Sequence, residues 1–423
     1  MSDPAPSRSP AAGAWLLAGV LGTAVNLRAA VTSVGALLPE IQAALSMTAF
    51  QAGLLTSLPV VAFGVIALTA NAVARRLGVT RALVVATVAI AVGLVLRVVV
   101  PTVTWLLATS LVVLAAIAVG NVLLPVVVRT WFPLRVGPVT GWYAIAISVA
   151  TALPAALAVP VAAALGGWRP GLAIWAVPAA LALVPWIVIT RRGHVPQPPA
   201  PRTDEGPTGA TVHRRLQAWA LAVYFGIQAL EAYVAMGWLP SILRDAGVPA
   251  GQAGTLLGVT MLVGGPVALL VPRLAGRSED QRVYVLGLAA LSLVGYLGLL
   301  LAPATLPLLW AVLLGLGLGA FPLALLLLGV RAATPEGTAA LSSLAQGVGY
   351  LIAATGPVTI GLLRDASGGW TLPLLVLLGL LVPKVLAGLI AGAPGHVDVV
   401  GSGPGLGSRG RRVTADPGSP PTP

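Results

Sequence analysis

Twelve apolar stretches, each long enough to cross a bilayer, follow one another from residue 14 to residue 392. They lie near 14–38, 49–72, 79–100, 104–129, 137–165 and 169–190, then 217–240, 252–272, 282–302, 306–330, 338–363 and 371–392, bounded by Gly, Pro or Arg clusters. A helix needs about 20 mostly apolar residues to span the hydrocarbon core. Only 9% of residues are charged, against roughly 25% in soluble domains, and the mean hydropathy is +0.96. The solvent of such a chain is lipid, and the expected fold is an all-α polytopic membrane protein.

The connecting segments divide the chain further. Residues 1–13 form a polar tail without the short charged-then-apolar pattern of a cleaved signal. Residues 191–216 form a Pro-rich polar linker between the sixth and seventh spans, and 393–423 a Gly/Ser/Pro/Arg tail with the composition of disorder. The expected domains are thus two six-helix bundles, 14–190 and 217–392. With the N-terminus inside, cytoplasmic segments carry eighteen basic residues and the opposite loops three, namely Arg169, Arg244 and Arg364. That asymmetry predicts both termini in the cytoplasm of a multi-pass protein of the cell membrane. It also accounts for the net charge of +12 without a nucleic-acid partner.

The composition excludes several chemistries. There are no cysteines, so disulfides, thiolate metal sites and cysteine nucleophiles are out. His194, His213 and His396 all lie in connecting or terminal segments, so no metal site or cofactor is expected. No G-x-x-x-x-G-K-[ST] segment is present to bind a nucleotide. A membrane-embedded enzyme would need paired carboxylates, His or Cys within the spans, where Glu231 is the only deep carboxylate.

The chain also repeats itself. "QAG" at 51–53 recurs at 252–254 and Leu38-Pro39 at Leu239-Pro240, and Arg76 and Arg81 match Arg277 and Arg282, all at an offset of 201. Arg129 and Pro133 match Arg331 and Pro335, and "GGW" at 166–168 matches 368–370, at 202. Parallel six-helix halves of this kind belong to transporters that bind a solute at mid-membrane between the halves.

The segments "NLRAAVTSVGALLPEI" (26–41), "GNVLLPVVVRTWFP" (120–133), "WLPSIL" (238–243), "GLGLGAFPLALLLLGVRA" (315–332) and "LSSLAQGVGYLIAATGPVTIGLLRDASGGW" (341–370) resemble the major facilitator superfamily. Within it they resemble the cyanate permease and 2-nitroimidazole transporter family. The resemblance covers most of residues 20–385. It implies alternating access by a rocker switch, with the first, fourth, seventh and tenth helices lining the cavity. It also implies a small-molecule substrate in a monomer embedded in the bilayer. The segment "NAVARRLGVTR" (71–81) resembles the superfamily's cytoplasmic gating loop, which makes Arg75, Arg76, Gly78 and Arg81 gating candidates. Asn71 and Arg75 stand where that loop usually carries Gly and Asp, which puts its salt-bridge lock in doubt.

On these helices the polar residues become site candidates. Arg28 lies eleven residues before Pro39 and Glu231 nine before the equivalent Pro240, so the two share a depth to within about 3 Å. Arg28 suits a planar grip on a small anion or polarised ring, and intramembrane charges are functional by default. The alternative is that Arg28 pairs with Glu231 or helix carbonyls and fixes the interface. Asn26 is turned about 200° from Arg28, so only one of them faces the cavity squarely. Glu231 is a candidate proton carrier, a permanent partner of Arg28 or a contact for a substrate cation. Tyr224 and Gln228 share its face and either line the same wall or bond between helices.

Asn121 and Pro125, Phe321 and Pro322, and Gln346 and Tyr350 are further cavity candidates. Phe321 and Trp238 serve packing or ligand stacking. Arg97 and Lys384 are read as snorkelling to headgroups. The leading function is secondary active transport of a small polar or anionic solute, with protons as candidate coupling ion. The rivals are a drug exporter, which needs a large aromatic pocket, and a non-transporting sensor on the same fold.

Overall fold

The computed structural model describes residues 10–191, 212 and 214–397. Most of the N-terminal tail, the linker and the C-terminal tail therefore lies outside the described residues, as do His194, His213 and the side chains of Asn71 and Arg75. The helices are α1 (Pro10–Ala36), α2 (Leu38–Leu45), α3 (Ala49–Leu77), α4 (Val79–Leu96), α5 (Val103–Trp131), α6 (Val136–Ala164), α7 (Trp168–Ala173) and α8 (Ala176–Arg191). They continue as α9 (Leu216–Asp245), α10 (Ala250–Ala275), α11 (Arg282–Leu301), α12 (Pro307–Gly317), α13 (Ala320–Val330), α14 (Pro335–Ser367) and α15 (Thr371–Ala391). Among the described residues there are no strands, and twelve segments are long and apolar enough to span a membrane. The sixth span is broken between α7 and α8, and the tenth between α12 and α13.

Two six-span bundles follow. In the first, α1 packs on α6 and α8, and α4 on α5 and α8; in the second, α9 packs on α14 and α15, and α11 on α12 and α15. The bundles meet where α3 lies against α14 and α6 against α10, with α1 against α9 between them. Valine and leucine on the outer faces, such as Val99, Leu181, Val283 and Leu351, are exposed because lipid covers them. In hydrocarbon there is no hydrophobic drive between helices, so close approach of small residues has to hold the seam.

The seam is tight at one end only. A Cβ on Gly35 would collide with the Met236 carbonyl, and one on Gly361 with that of Ala49. Along the same contact, a Cβ on Gly53 would stand 2.7 Å from the Pro357 carbonyl, whereas one on Gly64, three turns further along α3, would find nothing nearer than Tyr350 at 3.8 Å. Between α10 and α6 the spacing opens the same way, from 2.8 Å at Gly254 to 3.4 Å at Gly265. All the tight contacts lie at the end remote from α8's exit and α9's entry. The bundles therefore close at this far end and part toward the terminal end.

Polar contacts support the far end without dominating it. Arg244 at the end of α9 pairs with Glu40 of α2 at 2.8 Å, and the Phe50 amide donates to Asp365 at 3.3 Å, both across the seam. Asp245 accepts from Arg364 at 2.6 Å and from the Trp370 indole at 2.9 Å. Partly exposed pairs contribute at most about 1 kcal/mol each, so the glycine contacts carry the closure. The absence of native cysteine makes this testable. Thr56→Cys places a thiol in the seam beside Gly237. Adding Gly35→Ala, an overpacking of ~1–3 kcal/mol, is expected to raise its rate of modification by a water-soluble maleimide about tenfold. An unchanged rate would mean that the seam does not depend on backbone contact at Gly35.

Candidate functional site

α1 carries Arg28 within the first span, on a helix that lies against α9 of the other bundle. The side chain is half-buried, and its Nη1 is enclosed without a hydrogen-bond partner. The guanidinium carbon lies 5.3 Å from the centre of the Phe63 ring on α3, a cation–π arrangement. The Tyr233 phenol of α9 stands in side-chain hydrogen-bonding range, and Tyr143 of α6 and Tyr350 of α14 are close enough to feel its charge. Two aromatic neighbours thus come from each bundle. Among the described residues Arg28 has no carboxylate partner.

Glu231 is not beside it. The carboxylate points behind α9 toward α15, where Lys384 donates to it, and both side chains are almost fully buried. This corrects two expectations: Glu231 does not pair with Arg28, and Lys384 does not snorkel. A lysine amine that finds a carboxylate inside the bundle has no need to reach headgroups. Tyr224 and Tyr296 lie within the same charge field, and the Tyr224 ring packs against Gly388 of α15. Gln228 donates to the Phe225 carbonyl of its own helix at 3.0 Å. The face holding Tyr224, Gln228 and Glu231 is therefore internal to the second bundle, and the opposite face presents Tyr233 to Arg28.

Arg97 does not snorkel either. It caps α4 at 1% exposure and donates to the Ala30 carbonyl at 3.3 Å and the Leu172 carbonyl at 3.4 Å. The break between α7 and α8 frees the Leu172 carbonyl to accept it.

Asn26 is buried and donates to the Gly22 carbonyl at 2.8 Å, leaving Arg28 to face the gap. Asn121 is half-buried on α5, Pro125 and Phe321 are exposed, and Pro322 is half-buried. Phe225 joins Tyr350, at 5.4 Å between ring centres, to Phe321, at 6.0 Å. Gln346 bonds to Ser342 on its own helix at 2.7 Å. Trp238 packs against Trp370 and donates to the Pro357 carbonyl, a packing role. Arg76 and Arg81 are exposed at the terminal end, and Gly78 adopts φ +77° ahead of α4, a conformation that favours glycine.

Sequence reasoning missed Phe63, Tyr143 and Tyr233. A signal existed: the chain has six tyrosines, and three of them gather at Arg28. It also missed Arg331, which is buried after α13 and donates to the Ala391 carbonyl at 3.0 Å, the Gly392 carbonyl at 2.9 Å and Gln281. Burial lowers its pKa from the ordinary arginine value, partly offset by Asp280.

A family model described as Major Facilitator Superfamily matches residues 16–357. The chain is 37% identical over 383 residues to the 2-nitroimidazole transporter of Escherichia coli (strain K12), covering 89% of this chain and 95% of that protein. It is 33% identical over 363 residues to the cyanate transport protein CynX of the same organism, covering 85% and 93%. Among solved structures, a bacterial homolog of the human lysosomal transporter Spinster, in an inward-facing and occupied conformation, matches with TM-score 0.71. It shares 17% identity and covers 91% of this chain and 97% of that one, a likeness of fold.

The buried ion pair makes a prediction of its own. Lys384→Met strands a carboxylate inside the bundle and should cost ~3–5 kcal/mol. Lys384→Met with Glu231→Gln removes both charges and should recover most of that loss in thermal unfolding of the purified protein. Equal losses in the single and double variants would show that the two charges are not coupled.

Proposed function

The chain belongs to the Major Facilitator Superfamily and is a secondary transporter, and from that premise we propose that its cargo is a small planar anion gripped by Arg28. The observation that carries this reading is an intramembrane guanidinium with no carboxylate partner among the described residues, ringed by Phe63, Tyr143, Tyr233 and Tyr350. Leaving a charge in this state is costly unless a wet chamber or a counter-ion completes it. The fork of donors on arginine matches an oxyanion or a polarised ring substituent. The flanking rings favour a flat body, and their membership in both bundles lets the cargo sense the relative position of the halves.

The cytoplasmic excess of arginine supports placing the terminal end in the cytoplasm. The far-end seam is then the outer gate, and the arrangement described is open inward. Residues 14–190 and 217–392 serve as the two moving bodies. Asn121 and Gln346 remain second-rank contacts on the chamber walls. We assign Asn26, Tyr224, Gln228 and Glu231 to helix packing rather than cargo, because their side chains turn into the bundles. The enclosed Glu231–Lys384 pair also argues against Glu231 as the coupling carboxylate. A monoanion moving with its own charge responds to the membrane potential without one, at about 2.3 kcal/mol per 100 mV.

Proteoliposome uptake tests the reading with cyanate, benzoate and nitro-substituted N-heterocycles as probes. Arg28→Ala should lower initial uptake of the transported anion by about 100-fold, the loss of a charge-assisted contact worth ~3 kcal/mol, while Arg28→Lys retains an intermediate rate. Wild-type uptake in Arg28→Ala would remove Arg28 from the cargo site. A wild-type protein that transports none of the probes, yet shifts in stability on binding them, would favour the sensor.

A further inference from the structure

Pseudo-symmetry exposes a difference between the halves. At the repeat's offset of 201, Glu231 corresponds to Ala30. In the second bundle the Glu231 carboxylate neutralises a buried lysine arriving from the last span. In the first bundle the equivalent side chain is a methyl, and the Ala30 carbonyl instead accepts from a buried arginine, Arg97, whose own counterpart in the repeat is Gly298. Arg97 donates only two long hydrogen bonds, both to carbonyls, its Nε is enclosed without a partner, and no carboxylate pairs with it among the described residues. Carbonyl dipoles orient a guanidinium but leave its charge uncancelled.

Beyond the Ala30 methyl there is a cavity. It has ≈20 Å³ of room for the centre of a water-sized sphere, and a single water needs about 10–15 Å³ by that measure. Arg97 and Ser110 line it; Ser110 is 3% exposed and its hydroxyl is unpartnered. Valine and leucine form much of the rest, which excludes a hydrated cluster. Tyr233, Met236 and Gly237 of α9 supply the wall from the second bundle.

We propose that this cavity is a binding site for one monoatomic anion of chloride or bromide size, which neutralises Arg97 as Glu231 neutralises Lys384. The volume suits one such ion and not a cargo of three or more heavy atoms. Tyr233 lines the cavity and is also close enough to Arg28 to feel its charge, whereas Arg28 itself does not line it. Because α9 completes the site only while the far-end seam is closed, the ion binds that state in preference. By linkage it holds the seam shut.

The test is the thermal stability of the purified protein titrated with sodium chloride or bromide against sodium gluconate at matched ionic strength. Wild type should show a saturable halide stabilisation that Arg97→Gln abolishes. Ser110→Ala should weaken the midpoint at least about threefold, and Arg28→Gln should leave it in place. Ala30→Asp supplies the missing carboxylate on the chain itself. It should match in gluconate the halide-loaded stability of wild type and lose the halide response, which keeps the test decisive if Arg97→Gln does not fold. Crystals soaked in bromide should show anomalous density beside Arg97. No halide effect beyond gluconate, a response surviving in both Arg97→Gln and Ala30→Asp, or bromide density only elsewhere would overturn the proposal and leave water as the occupant.

Discussion

Charge inside a bilayer has to be answered locally, because no solvent is available to do it at a distance. Arg28, Arg97, Glu231 and Lys384 are titratable side chains set deep among the helices, and they are answered in three ways. Lys384 and Glu231 answer each other inside the second bundle. Arg97 leans on two carbonyls, one of them freed by the break in the sixth span. Arg28 turns into the gap with its Nη1 unpartnered, while the unpartnered Nε of Arg97 stays inside the first bundle. The capacity to bind an anion lies where a positive charge lacks a carboxylate, and of the two arginines in that state Arg28 is the one on the seam between the bundles.

The seam's chemistry suits that motion. Backbone-to-backbone approach at Gly35, Gly53 and Gly361 gains dispersion contact over a short length and needs no side chain to unthread when the surfaces part. A seam of interlocked leucines would hold as firmly but would resist separation. The partly exposed Glu40–Arg244 pair adds little energy and sets register. The far-end closure can therefore be firm when formed and still be undone by the modest differential affinity of a bound solute.

Much of this was legible in the sequence, and the failures have a common cause. The twelve spans, the internal repeat and the exceptional position of Arg28 were all read from hydropathy, spacing and charge. The facing of α9 was not. Its apolar window is 83% buried, against 33–61% in the other spans, so no polar stripe marks which side meets the first bundle. The choice fell on the face carrying Glu231, the more eye-catching residue, and Tyr233, two positions on and nearly opposite, was passed over. Lys384 and Arg97 were read as snorkelling because each is long and cationic. Nothing local to either residue shows that a carboxylate or a freed carbonyl waits on another helix. The repeat did contain hints: at its offset Ala30 aligns with Glu231 and Arg28 with Ala229, so the halves differ in charge on the two helices that face each other across the seam.

That difference sets the electrostatic character of the two bodies. The second bundle's deep charges cancel within the bundle, so it can move as a neutral block. The first carries Arg28 and Arg97 with no carboxylate within its spans. A body bearing uncancelled positive charge at mid-membrane is more stable when an anion accompanies it, in whichever state it then adopts. Access from one side and then the other follows if the anion's contacts come from different halves: the cation from the first, the Tyr233 and Tyr350 phenols from the second. Parting the seam removes the second half's share and weakens the grip on the side that has just opened. In such an arrangement release is a consequence of the opening itself, and needs no separate event.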